Sequence, residues 1–66
     1  MIFKKYTFIG ADGSLGLEKG KSYYIHVMHY FLSGKILAWI KMNGTRIITY
    51  PYSSNKKFKE NWRKEK

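Results

Sequence analysis

The sequence predicts a mainly β domain: a small, strongly bent antiparallel sheet of four to five strands, closed by a C-terminal helix. Three observations predict it. Residues 22–31 and 36–42 alternate at strand period and are rich in β-branched and aromatic side chains. Turn dipeptides, Asp12-Gly13, Ser33-Gly34 and Asn43-Gly44, punctuate the apolar runs. The serine pair Ser53-Ser54 then stands before Phe58 and Trp62, spaced as one stripe of a short helix.

A first strand is expected near 3–9, where Phe3, Lys5, Thr7 and Ile9 alternate with Lys4, Tyr6 and Phe8. Gly10 to Gly13 break it. Residues 14–21 hold Gly16 and Gly20 and are too glycine-rich for a helix. They read as an ordered loop pinned by two apolar anchors, Leu15 and Leu17. The clearest strand is 22–31, with Tyr23, Ile25 and Val27 on one face and Tyr24, His26, Met28 and Tyr30 on the other. Ser33-Gly34 returns the chain along 36–42. There Ile36, Ala38, Ile40 and Met42 oppose Leu37, Trp39 and Lys41. Asn43-Gly44 suits a two-residue hairpin, in which both central residues take positive φ. The next strand, near 45–50, is expected to stop at Pro51. The helix is expected near 54–64, with Arg63, Lys64 and Lys66 at its C-terminal end, where positive charge suits the dipole. The order of strand, long loop, three-strand meander and helix suits a small barrel, SH3-like or OB-like.

Composition bounds the function. The chain of 66 residues makes one domain, 1–66. A domain this size buries only about 60% of its unfolded surface. It has no Cys, and His26 and His29 point to opposite faces of a strand, so neither disulfide nor a shared metal is expected. The shortage of other staples makes a homodimer one expected state. No apolar run approaches the ~18 residues of a membrane span, and the N-terminus lacks the long apolar region of a secretory signal. Those absences point away from a membrane and toward the cytoplasm. No cofactor motif is present. The acids Asp12, Glu18, Glu60 and Glu65 are scattered, Ser53 and Ser54 read as caps, and the glycines of 10–16 as turns, so no catalytic activity is expected.

Some motifs are familiar together. Tyr6-Thr-Phe-Ile-Gly10, Asp12-Gly-Ser-Leu-Gly16, Lys19-Gly-Lys-Ser-Tyr23 and Pro51-Tyr-Ser-Ser54, followed by Phe58 and Asn61-Trp62, resemble small SH3-like accessory proteins of Gram-positive phages and prophages. The match spans most of the chain, through turns, strand starts and a helix cap. The resemblance implies an SH3-like barrel acting in the host cytoplasm. It also implies a module that binds, and can inhibit, a host protein such as a defence component.

The residues themselves point to binding. Aromatic residues make 18% of the chain beside a formal net charge of +9. So small a fold cannot bury every ring, and its charge exceeds the magnitude of about 2 to 8 usual for a small soluble domain. One candidate site is the strip Tyr24, His26, Tyr30 and Trp39 with Lys41 beside it and Arg46 opening the next strand. It could anchor a protein partner or stack bases, provided that Tyr23, Ile25 and Val27 form the buried face, which alternation alone does not decide. Equally, those rings could be core, or bury themselves in a homodimer. A second candidate is the basic set Lys56, Lys57, Lys59, Arg63 and Lys64. It could meet an acidic protein surface or phosphates, or serve as a solvated helix face. The loop 12–20 is a third, either a recognition loop or a plain connector. Two functions follow: docking on a host protein with an acidic surface, or direct binding of nucleic acid.

Overall fold

The computed structural model describes residues 2–65, the side chain of Ser14 excepted. Met1 and Lys66, the last cation of the expected basic tail, lie outside the described residues. The elements run β1 (Lys4–Phe8), a single 3₁₀ turn (Ser14–Gly16), β2 (Ser22–Tyr30), β3 (Lys35–Lys41), β4 (Ile47–Tyr52), α1 (Asn55–Asn61) and β5 (Trp62–Lys64). The five strands form one antiparallel sheet in the order β4-β3-β2-β1-β5. β4 and β5 are its edges, and among the described residues no ladder joins them, so the sheet is not closed into a barrel.

Alternation sorts the strands into an inner and an outer face. Phe8, Tyr23, Ile25, Ile36, Ala38, Ile40 and Tyr52 are buried on the inner face, with Leu17, Phe58 and Trp62 packed over them. Each of the larger side chains contributes about 1.5–3 kcal/mol by leaving water. The Trp62 ring lies against Phe8 at 4.9 Å and edge-on to Tyr23 at 5.8 Å, and Phe58 meets Tyr6 and Tyr52 edge-on at 5.6 Å. Tyr23, Ile25 and their neighbours are therefore the core. The face carrying Tyr24, His26 and Tyr30 is the outer one.

The helix is shorter than the spacing predicts. Ser54 caps it, its hydroxyl accepting from the Lys57 amide at 3.2 Å. It ends at Asn61, because Trp62 turns to extended backbone (φ −137°, ψ 134°) and pairs with Phe8. Docking the Trp62 ring and the ladder to β1 outweighs one more helical turn. Arg63 and Lys64 thus lie on a fifth strand rather than at a helix C-terminus.

Two further boundaries differ. Pro51 does not stop β4, which runs on to Tyr52. The Met42 amide donates to the Arg46 carbonyl at 2.8 Å, which fixes the ladder's alternation. By that alternation Pro51 lies at a position whose amide side faces away from β3, where the missing N–H is harmless. The hairpin between β3 and β4 spans Asn43, Gly44 and Thr45. Of these, only Gly44 has positive φ, so it is not the two-residue turn expected.

Candidate functional site

Cross-strand register assembles the outer face from distant residues. His26 stands opposite Trp39, which stands opposite Thr49; Met28 faces Leu37, which faces Pro51; Lys41 faces Ile47, and Tyr24 faces Lys5. Tyr24 and Tyr30 are about half exposed (53% and 47%). Met28, Leu37 and Trp39 are half-buried. Phe3 folds onto the same face. Its ring lies 6.1 Å from that of His26, and the Lys41 ammonium sits over it at 4.7 Å, a cation–π contact. Nδ1 of His26 donates to the Ile2 carbonyl at 2.9 Å.

The expected strip therefore exists, with Tyr24, His26, Tyr30, Trp39 and Lys41 on one face. Trp39 is half-buried, and its indole N–H is buried with no acceptor among the described residues. Arg46 does not open β4; it is exposed in the turn before it. The basic set divides. Lys56, Lys57 and Lys59 are exposed on α1, and Lys57 pairs with Glu60 at 3.5 Å. On β5, Arg63 pairs with Thr7 on the outer side and Lys64 with Tyr6 on the inner side. The one basic helix face predicted by spacing is two separate groups.

The carboxylates are all engaged. Asp12 accepts from the Lys19 amide at 3.0 Å, and Glu18 pairs with Lys21 at 3.5 Å. Glu65 accepts from the hydroxyls of Ser22 and Thr7, the latter at 2.7 Å. Those two bonds, Ser22 first, hold its carboxyl below the usual range, and Lys5 and Arg63 pull the same way.

Sequence reasoning missed several contributors. Phe31 and Leu32 form the tip of the β2–β3 hairpin and are fully exposed (95% and 106%). The signal was present, because two large apolar residues beside a Ser-Gly turn have no core to enter. Leu15 was expected as a buried anchor. Leu17 is fully buried, but Leu15 is exposed (44%) in the left-handed region at φ 57°, ψ 20°. Leucine there costs about 1–2 kcal/mol. The loop imposes that geometry. Leu17 is fixed in the core, its carbonyl accepts from the Gly13 amide at 2.8 Å, and the Gly20 amide donates to the Phe8 carbonyl at 2.7 Å.

An open groove of about 310 Å³ runs beside Leu15, between the end of β4 and α1, lined by Phe8, Tyr50, Tyr52 and Lys57. Gly10 packs against two of its lining residues, Phe8 and Asn61. A Cβ at Gly10 would come within 2.8 Å of the Phe8 ring and closer still to the Asn61 side chain. No helix among the described residues is long and apolar enough to cross a membrane.

Comparison of the chain with protein-family models, curated proteins and solved structures finds no match in any of the three.

Proposed function

We propose that the domain is a non-catalytic interaction module that docks on a protein partner through the outer face of its sheet. One observation carries the reading: an apolar strip crosses the solvent-facing side of a single-layer sheet. A solvated sheet face is ordinarily polar. Here Tyr24, Met28, Tyr30, Leu37, Trp39 and Ile47 occupy it, with Phe31 and Leu32 fully exposed at one end. Aromatic, Met and aliphatic side chains at the centre, with Lys5, Lys35 and Lys41 at the margin, match the anatomy of a protein interface. The cations favour a partner with an acidic rim, speeding encounter, while the rings supply affinity. The resemblance to small phage proteins supplies the setting, a phage-encoded module that binds and inhibits a host protein in the host cytoplasm. In that reading the fold is an SH3-like barrel whose seam between β4 and β5 has stayed open.

A second reading, single-stranded nucleic acid on the same face, is favoured by the charge distribution. All four acids are engaged, whereas Lys35, Lys41 and Arg46 have no carboxylate within ion-pair distance among the described residues. Exposed rings beside free cations suit stacking and phosphate contact.

The deciding experiment compares wild type with Tyr24→Ser/Tyr30→Ser, which touches only exposed rings. Capture of the same host protein by both forms overturns the docking face; loss in the double variant, with thermal unfolding unchanged, supports it. In parallel, shifts of single-stranded oligonucleotides are measured at 50 and 200 mM salt. Nucleic acid as the ligand requires affinity to fall by ~10³-fold across that range, as for about six phosphates engaged.

A further inference from the structure

We propose a second binding site, separate from the outer face: the open seam beside β4 accepts an extended peptide strand from an acidic protein segment. Ile40, Ala38 and Ile36 take the hydrogen-bonded pairings with Ile48, Tyr50 and Tyr52, as the Met42–Arg46 bond sets the phase. The amides of Ile47 and Thr49, and the carbonyls of Ile47, Thr49 and Pro51, therefore face outward along an edge with no neighbouring strand among the described residues. A row of alternating donors and acceptors at strand spacing is matched by another extended backbone, and not by a lipid surface or a nucleic acid.

Edge strands that must stay single are blunted by charge, bulges or cover. Here Pro51 blunts one position only, and 47–52 carries no charged side chain. Beside it lies the groove described above, so a side chain of the added strand would enter between Tyr50 and Leu15 over the Phe8 and Tyr52 rings. Leu15 gives the groove its outer wall. It is exposed in a strained conformation that a glycine would adopt freely, and its apolar side chain is presented to the groove instead of the core. Charge selects the occupant. Lys57 lines the groove, its ion pair with Glu60 is exposed, and the chain carries +9. A second copy would bring another +9 to the same edge, whereas an acidic segment with apolar residues at alternate positions satisfies backbone, groove and charge together.

The test selects binders from a display library of random linear peptides against the intact domain. The best peptide is then followed by amide NMR and hydrogen exchange. The expected peptide is acidic with alternate apolar residues, slows exchange at Ile47 and Thr49, and leaves Tyr24 and Trp39 signals in place. Leu15→Gly removes the groove wall and relieves the strain, so it should weaken binding at least tenfold with the melting temperature unchanged or raised. Thr49→Pro, which deletes one outward amide, should do the same; because Thr49 stands opposite Trp39, it is read against Thr49→Ala, which keeps the amide and should bind as wild type. Selection of no binder, binding that perturbs only Tyr24 and Trp39, or full affinity in Leu15→Gly would each overturn the site. Edge protection that appears without peptide and rises with protein concentration, along with mass, would assign the seam to a second copy and overturn the peptide. The Leu15→Gly readout does not touch the outer face, so the two proposals fail separately.

Discussion

The two tryptophans sit on opposite sides of the sheet and have opposite accounts. Trp62 is fully buried on the inner side, packs on Phe8 and Tyr23, and donates its indole N–H to the Tyr52 hydroxyl at 2.9 Å. Trp39 is half-buried on the outer side, with its N–H enclosed and unpaired. Burial with every polar atom satisfied is what a folded interior requires; burial with an orphaned donor costs stability without stabilising anything in return. The inner face is finished by the chain itself. The outer face carries an apolar strip whose side chains are only partly buried.

Four substitutions break or sharpen that contrast, in falling order of effect. Trp62→Ala should remove about 3–5 kcal/mol, most or all of the stability of a chain this short, so that circular dichroism shows no cooperative melt. Tyr52→Phe leaves the Trp62 N–H buried without its acceptor. It should cost about 1–3 kcal/mol in a denaturant titration, with the fold retained. Trp39→Phe loses no hydrogen bond and should stay within about 1 kcal/mol of wild type. A larger loss would mean that the outer indole is satisfied in solution and the contrast is wrong. The smallest effect is Ser22→Ala, read as a pH dependence. The Glu65 carboxyl titrates below its ordinary value of 4.5 in the folded chain, so its contribution is full above that value and fades as pH falls through the lowered one. Ser22→Ala should flatten the acid limb of the melting-temperature profile and leave neutral pH nearly unchanged; an identical acid limb would remove Glu65 from the account.

The meander was legible because its signals are local. Alternation in 22–31, turn residues at Ser33-Gly34 and the cap at Ser54 each act within a few residues, and β2, β3 and the start of α1 follow them. What escaped was decided at a distance. Trp62 fits a helical stripe by spacing, yet Phe8, 54 positions earlier, draws it into a strand. Leu15 and Leu17 look alike in sequence, and only a loop pinned to Phe8 separates the exposed one from the buried one. The outer face shows the same division. Tyr24, His26 and Tyr30 were readable from one strand's period. Phe3, Leu37 and Ile47 join them through register, which no single strand contains.

The pairing of β5 with β1 also sets an order of events. The meander β2-β3-β4 closes through neighbours in the chain, whereas Trp62 reaches Phe8 across nearly the whole sequence. Loop-closure entropy makes such a contact late. On a ribosome the meander can form as soon as it emerges, but the core has no lid until residues 62–64 are also out, and until then the inner rings stand in water beside two unpaired strand edges. The domain is therefore most exposed to aggregation in the interval before residues 62–64 join β1. In refolding kinetics, weakening Ile40 should slow folding, and weakening Trp62 (as Trp62→Phe) should instead speed unfolding.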